Sequence, residues 1–455
     1  QAPLLTDVCN RIEACTKPVV VAIQGAALGG GLEVALAAHY RLALPGAKFG
    51  LPEVTLGLLP GAGGTQRAPR LIGIQAALTL MLDGKPIGAP QALTLGLVDR
   101  LGSTADALQE GLAYTQELLA AGALARPTRD RRIAASDVDA ARQAIAAARA
   151  ALNKKYHGLF SPARIIDAVE AVLDQPFAAG LRLEREYFLQ CLDTPQRRAL
   201  VHAFFAEREA AKIPEASRAQ PRPVDRIGIV GGGTMGAGIA VAMLDAGLSV
   251  VMVERDVESL DRGRANVAKV YDSLVSRGRL DPAERDRRLG GFSGATDYMA
   301  LSAVDLVVEA VFEDLGVKSA VFAELDRVCK PGAVLATNTS YLDIDRIAAT
   351  VSRPRDVIGL HFFSPANIMK LLEIVVPGAV ADDVVATGFA LARRLKKVAV
   401  RAGVCDGFIG NRILAVYRQA ADYMMADGAS LYQIDRAVRR FGFPMGPFQV
   451  TDLAG

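Results

Sequence analysis

Residues Gly228–Ala240 read GIVGGGTMGAGIA, and the fold of the second half of the chain turns on them. Just before the glycines, Asp225–Val230 (DRIGIV) is a short apolar run of the kind a buried strand shows. After them, Gly231 to Gly247 reads as a turn plus a helix, and Ser249–Glu254 (SVVMVE) is a second short run that ends on an acid. This strand–turn–helix–strand order is one half of a doubly wound parallel sheet. Gly231, Gly233 and Gly236 give the spacing G-x-G-x-x-G, with Met235 inside the loop. Gly231 permits the tight turn, Gly233 lets backbone N–H groups approach a pyrophosphate, and Gly236 lets the helix pack closely on the strand. Glu254 is placed to accept hydrogen bonds from ribose hydroxyls and to repel a 2′-phosphate, which predicts NAD. Arg255 beside it keeps NADP as the alternative. Further strands are expected at Val304–Val311, Ala333–Asn338 and Asp356–Phe363, and beyond Gly403 the pattern turns helical.

At 455 residues the chain is too long for one ordinary core. Its composition, 51% hydrophobic and 22% charged, is that of a water-soluble globular protein. A net charge of +3 with no dense Lys/Arg block predicts no nucleic-acid partner. No apolar run approaches the roughly 18 residues that a membrane span needs. Cys9, Cys15, Cys191, Cys329 and Cys405 are scattered and odd in number, which suits reduced thiols. His39, His157, His202 and His361 lie far apart without ligand spacing, so no metal site is expected. The chain begins at Gln1 without Met and stops at Gly455 within a helical pattern, and it reads as an internal portion of a longer protein.

Upstream, Lys17 to Val98 reads strand, glycine turn, helix, strand, loop, and then come alanine-rich helical segments at Thr104–Ala125 and Ser136–Ala151. Ser161–Ala211 continues with apolar residues at three- and four-residue spacing. Lys212–Val224 (KIPEASRAQPRPV) has no periodicity and is rich in Pro and charge, so a linker is expected there. The expected domains are residues 1–211, 225–402 and 403–455.

An alcohol oxidised at a nicotinamide needs a proton acceptor. His361–Glu373 (HFFSPANIMKLLE) offers an imidazole and, twelve positions on, a carboxylate that could fix its tautomer. The spacing alone fits a core histidine near a strand end better. Five stretches in order settle on one resemblance: GIVGGGTMGAGIA, NTSYLDIDRIA from Asn338, GLHFFSPANIMKLLE from Gly359, GFIGNR from Gly407 and FPMGPFQVTDLAG from Phe443. Together they resemble the 3-hydroxyacyl-CoA dehydrogenase family. The resemblance implies that His361 is the catalytic base and Glu373 its orienting acid. It implies that Ser340 contacts the reacting oxygen and Asn411 positions the substrate. Glu313 and Lys318, in FEDLGVK, match family positions near the nicotinamide end of the cofactor. Many members have Asn where Ser364 stands and Pro where Asp406 stands; both variants fit the multifunctional branch. The helical tail resembles the start of that family's substrate and dimerisation domain.

A second glycine run, Ala27–Leu36 (ALGGGLEVAL), also opens into a helix-like segment, but it has neither a G-K-[ST] ending nor a third glycine in register. Instead the run leads to an acid, Glu33, and twenty residues later stands another, Glu53, in FGLPEVTLGLLPGAGGTQR. Free N–H groups at a helix start can hold a developing oxyanion, and two carboxylates suit proton chemistry beside a thioester. A first-turn Glu that complements a helix dipole has the same local look. Lys17–Gly73 resembles the crotonase (enoyl-CoA hydratase/isomerase) superfamily at nearly every position. That resemblance implies an oxyanion donor at Gly30 and catalytic glutamates at Glu33 and Glu53, with the other oxyanion donor upstream of Gln1. Hydratases keep both acids, whereas dedicated isomerases often keep only the second.

In this order, and joined by Ser161–Ala211 with its HAFFAER ending, the two resemblances imply a multifunctional enzyme family of fatty acid β-oxidation. HFFSPA and HAFFAER lean to the peroxisomal type-1 branch and its bacterial relatives. The expected fold is α/β and multidomain: a crotonase-type β/α spiral, a Rossmann domain, and the start of an all-helical domain. Acyl-CoA thioesters and NAD are the expected small-molecule partners, and the full-length protein is expected to be a monomer or homodimer, with a thiolase as a candidate partner. Ala- and Arg-rich helices favour a bacterial cytoplasm, with the peroxisome as the alternative. The rival functions are a dehydrogenase of a non-fatty acyl-CoA pathway and a CoA-binding scaffold with an inert hydratase half.

Overall fold

The computed structural model describes residues 4–156 and 158–454, so His157 lies outside the described residues. The chain forms two compact units, Gln1–Phe205 and Ala206–Gly455. Among the described residues no helix is long and apolar enough to cross a membrane.

In the first unit the strands are β1 (Val20–Ile23), β2 (Ala26–Leu28), β3 (Tyr40–Ala43), β4 (Lys48–Gly50), β5 (Ile87–Gly88) and β6 (Arg100–Leu101). They divide between two sheets, ordered β1-β3-β6 and β2-β4-β5. Neighbouring strands in the chain therefore part company: β1 pairs with β3 and β2 with β4, both in parallel. A helix or turn comes after each pair, which makes the strand–strand–helix spiral of the expected class. The helices Gly64–Ile72, Ile74–Asp83 and Phe160–Asp174 close the core, where Leu36, Phe49, Met81, Ile165 and Val169 are fully buried. Burial of each such side chain stabilises the unit by roughly 1.5–3 kcal/mol. The alanine-rich segments form Ala107–Ala120, capped by the Asp106 carboxylate on two N–H groups, and Val138–Lys155. Ser161–Ala211 resolves into three helices, with Pro176 and Pro195 standing where the second and third begin. Proline fits there because the first N–H groups of a helix have no helical acceptor.

The second unit is built on an eight-stranded sheet: β7 (Arg226–Val230), β8 (Ser249–Val253), β9 (Phe292–Ala295), β10 (Leu306–Glu309), β11 (Val334–Thr337), β12 (Val357–Phe362), β13 (Leu371–Val376) and β14 (Val398–Gly403). Its order, β9-β8-β7-β10-β11-β12-β13-β14, runs parallel except at the antiparallel β12–β13 pair. The first six strands keep the doubly wound dinucleotide order, whose switch point lies between β7 and β10. Both faces are covered, so the strands read as continuous apolar runs. Ile227, Val250, Leu306 and Ile358 join one core, while Val251, Val307, Leu335 and Val357 join the other. Helices Gly410–Ala426, Leu431–Phe441 and Pro447–Ala454 come after β14.

The segment expected as a linker is packed. Residues 212–224 form a strap on the second unit rather than a free connection. Ile213 is buried in its core, and the buried Glu215 accepts from Arg401 Nε at 3.0 Å. Arg222 binds Asp383 at 2.8 Å and Asp356 at 2.9 Å. A proline-rich segment lacks periodicity because it forms no regular helix or strand. That says nothing about whether its side chains find tertiary partners.

Candidate active sites

In the first unit β2 delivers the glycine run. Gly29 adopts φ +54°, and the helix Gly30–Ala37 begins at the next residue. Gly30 is therefore the first helical residue, whose N–H no preceding helical carbonyl can accept. Glu33, in the first turn, is buried and turns to another loop. Its Oε1 accepts from the N–H groups of Ala62 (2.7 Å) and Gly64 (2.8 Å). Glu53 lies in the turn Pro52–Leu56, with its Oε2 buried and without a hydrogen-bond partner among the described residues. The two acids are brought together by glycines whose roles the sequence alone does not assign. A methyl group on Gly29 would lie 3.1 Å from Glu53 Oε1, and one on Gly64 would lie 2.9 Å from Glu33 Oε1.

Burial, then the charge of Glu33, pushes the Glu53 carboxyl up to about 8 against a hydrogen bond from its own backbone N–H. Burial also raises Glu33, opposed by the Ala62 and Gly64 N–H groups and by Arg67. With two donors on Glu33 and an orphan oxygen on Glu53, the unequal partners favour a charged Glu33 beside a protonated Glu53 near neutral pH. The loop that holds Glu33 is itself pinned. Arg67 donates to the Ala62 carbonyl at 3.1 Å and pairs with Glu13 at 2.8 Å, both side chains fully buried. Removing one partner of such a pair leaves an uncompensated buried charge, at a cost of about 3–5 kcal/mol.

In the second unit the glycine loop lies at the end of β7. Gly231 has φ +100°, and a side chain there would meet the Ala310 carbonyl at 2.7 Å. Gly236 sits so close beneath the loop that a Cβ would lie 1.8 Å from the Gly231 oxygen, whereas a Cβ on Gly233 would meet nothing within 4 Å. Tight contact at two positions and open space at the third is the arrangement a pyrophosphate cradle requires, so the residues present fit a dinucleotide. Met235 is half-buried against the core. Glu254 closes β8 and accepts from Gly232 N–H at 2.6 Å. Arg255 is 80% exposed and paired with Asp256, turned to a neighbouring acid. Gly236→Ala should weaken NADH binding on the order of tenfold or more, or ~1.4 kcal/mol, as read by fluorescence titration; unchanged affinity would contradict the cradle.

The crevice floor holds a charged cluster. Glu309 ends β10, fully buried, and accepts from Lys318 Nζ, Val311 N–H and Thr337 Oγ1, each at 2.7 Å. Lys318 also reaches Glu313 at 3.3 Å. Glu313 accepts from Thr339 Oγ1 (2.5 Å) and from the N–H of Ser340 (2.8 Å). Burial works to raise Glu313, but the Thr339 hydroxyl, the Ser340 N–H and Lys318 outweigh it and hold it below the usual range. Glu309 is absent from the residues expected of the sequence; its signal there is a carboxylate inside an otherwise apolar strand.

His361 and Glu373 are direct partners across the antiparallel β12–β13 pair. Their side chains share a face, with His361 Nδ1 and Glu373 Oε2 2.6 Å apart. The imidazole packs between Phe363 and Phe408, ring centroids 4.5 and 5.6 Å away. Glu373 Oε1 accepts from Ile409 N–H (3.1 Å) and Gly410 N–H (2.7 Å), at the start of the helix Gly410–Ala426. Asn411 is next on that helix and, with Tyr341 and Leu414, lines a cleft of about 470 Å³. Asn338 joins β11 to β12 by accepting from Phe362 N–H at 2.9 Å, two residues before Ser340. Ser340 thus follows β11 at the same edge of the sheet as the glycine loop, its backbone fixed by Glu313.

The chain matches three family descriptions in succession: enoyl-CoA hydratase/isomerase over residues 3–158, 3-hydroxyacyl-CoA dehydrogenase NAD binding domain over 226–405, and 3-hydroxyacyl-CoA dehydrogenase C-terminal domain over 407–455. It is 43% identical to the peroxisomal bifunctional enzyme of Cavia porcellus over 460 residues, covering 99% of this chain and 62% of that protein. The peroxisomal bifunctional enzyme of Homo sapiens is 40% identical over 463 residues, with 99% and 62% covered. The chain thus spans about 62% of the length of these relatives. Among solved structures it is similar to FadB2 of M. tuberculosis, at 39% identity and TM-score 0.50, over 51% of this chain and 84% of that one. These matches, together with the sheet order, show that the chain belongs to the 3-hydroxyacyl-CoA dehydrogenase family, with an enoyl-CoA hydratase/isomerase domain fused ahead of the dehydrogenase.

Proposed function

We propose that the chain catalyses two consecutive steps of fatty acid β-oxidation: hydration of a trans-2-enoyl-CoA to the (3S)-3-hydroxyacyl-CoA, and NAD-dependent oxidation of that alcohol to the 3-ketoacyl-CoA. The observation that carries this reading is the pairing, in one chain, of two acids with unequal partners, one buried and one half-buried, and a His–Glu pair. The first suits addition of water, and the second suits deprotonation of the alcohol so formed. On this reading residues 1–211 form the hydratase part, 225–402 the dinucleotide part and 403–455 the start of the helical part.

In the first step Glu33 takes a proton from water as its oxygen bonds to C3, and Glu53 delivers a proton to C2. The Gly30 N–H faces the charge that builds on the thioester oxygen. Glu53 alone could move a proton between C2 and C4, which is Δ3–Δ2 isomerisation. In the second step His361 takes the hydroxyl proton at Nε2, since Nδ1 is engaged by Glu373. Ser340 and Asn411 orient the reacting oxygen and the acyl chain. Gly231, Gly233, Met235, Gly236, Glu254, Glu313 and Lys318 would hold NAD, which supplies the hydride acceptor. The Arg255–Asp256 ion pair supports NAD over NADP, because this guanidinium is already engaged by a neighbouring acid.

The names of the relatives carry a peroxisomal location, which supports the peroxisomal alternative, while the bacterial cytoplasm rests on composition alone. A monomer or homodimer, and association with a thiolase, belong to the same reading. The test monitors enoyl thioester absorbance with crotonyl-CoA, first without and then with NAD. Absorbance should fall in both cases and NADH should appear only in the second. NADH formation from 3-hydroxybutyryl-CoA with no hydration of crotonyl-CoA would overturn the hydratase assignment.

A further inference from the structure

The loop Pro60–Gly63 and the first two residues of the helix Gly64–Ile72 turn successive N–H groups to opposite sides. Ala62 and Gly64 donate to Glu33, while Gly63 and Thr65 donate to Glu184 at 2.7 and 3.0 Å. Glu184 arrives from the helix Phe177–Leu192, far along the chain, and is 1% exposed. The Thr65 hydroxyl gives it a third donor at 2.6 Å. A carboxylate removed from water is costly unless donors replace the lost hydration. Two such carboxylates therefore grip one short strip of backbone from opposite sides, and the hydration chemistry uses only one of them.

We propose that Glu184 is a positioning residue for water addition: it clamps the far side of the Gly63–Thr65 strip, so that Ala62 and Gly64 hold the Glu33 carboxylate in a single orientation. This rests on the hydratase reading of the first unit. Burial, then the charge of Glu33, raises Glu184 to about 8. The other groups facing this cluster are Cys9 and Glu13 from the helix Leu5–Glu13, Glu53 from its turn, and Arg67 from the helix that begins at Gly64. Arg67 is already paired with Glu13, which Arg129 also contacts.

Glu184→Gln keeps the shape of the side chain but turns one acceptor oxygen into an NH2 donor, so the strip is gripped less firmly and Glu33 loses its single orientation. With the full chain and crotonyl-CoA, kcat for hydration should fall roughly tenfold while the KM stays unchanged. Thr65→Val removes only the hydroxyl donor to Glu184. It should lower kcat by less, and Thr65→Ser should restore it. These two variants carry the test if Glu184→Gln does not fold. A fall in kcat accompanied by a matching rise in KM, or one that Thr65→Ser does not restore, would reduce Glu184 to a structural prop and overturn the proposal, as would no change at all. Glu33→Gln separates the two levels. If it leaves hydration intact, the hydratase reading fails; if it silences hydration while the Glu184 and Thr65 variants do nothing, only this inference fails.

Discussion

Replacing Glu53 by glutamine should remove hydration of crotonyl-CoA, lowering kcat on the order of 10²–10⁴-fold, while NADH formation from 3-hydroxybutyryl-CoA stays at the wild-type rate. Glutamine keeps the shape of the side chain but has no carboxyl proton to give. The size of the loss reflects the division of labour in the site. Glu33 already accepts two N–H groups, whereas Oε2 of Glu53 has no hydrogen-bond partner among the described residues. Wild-type hydration should therefore decline as pH rises through about 8, where Glu53 loses its proton.

The same shift makes a prediction about stability whose sign is opposite to the usual carboxylate case. The folded-state value is raised, so the stability tied to this proton is fully present below the ordinary value of 4.5 and is lost as pH rises through about 8. Glu53→Gln cannot ionise, so the variant should unfold at a higher temperature than wild type in mildly alkaline buffer. Differential scanning calorimetry across this range reads that directly. Hydration near the wild-type rate in Glu53→Gln would sink the assignment of the first site.

The parts of the molecule that were legible in the sequence are those whose physics is local. A doubly buried strand must be apolar along its length, so β7, β8, β10 and β12 could be located from composition alone. The turn after β7 needs a positive φ at Gly231 and no side chain at Gly236, so those glycines are visible at fixed spacing. His361 and Glu373 were visible as residue types, but their partnership was not. It depends on an antiparallel register that places them opposite each other, and no spacing along the chain encodes that. Glu184 left no local signal at all. It is one acid among several on an ordinary helix, and its donors come from a loop more than a hundred positions earlier. The packing of 212–224 left no sequence signal for a related reason: it is held by isolated anchors such as Arg222 and Glu215, not by a repeating face.

Replacing His361 by alanine should have the complementary effect, lowering kcat for oxidation of 3-hydroxybutyryl-CoA on the order of 10²–10⁴-fold with hydration untouched. The imidazole lies near the end of β12, and its Nδ1 is fixed by Glu373 at 2.6 Å. Glu373→Gln tests how much of this depends on the fixed tautomer. Burial works to raise Glu373, but the hydrogen bond to His361 and the N–H groups of Gly410 and Ile409 outweigh it and hold the carboxylate below the usual range. With a depressed folded-state value, its contribution to stability is present above the ordinary carboxylate pKa and is lost as pH falls through the lower folded value. The glutamine variant should therefore lose the margin of stability that the wild type enjoys at neutral pH. It should also lower kcat by less than His361→Ala, because the base remains while its orientation loosens. Both variants should bind NADH as wild type does, since neither residue belongs to the glycine loop. If His361→Ala oxidises the hydroxyacyl thioester at the wild-type rate, the base lies elsewhere and the β12–β13 pair is only structural.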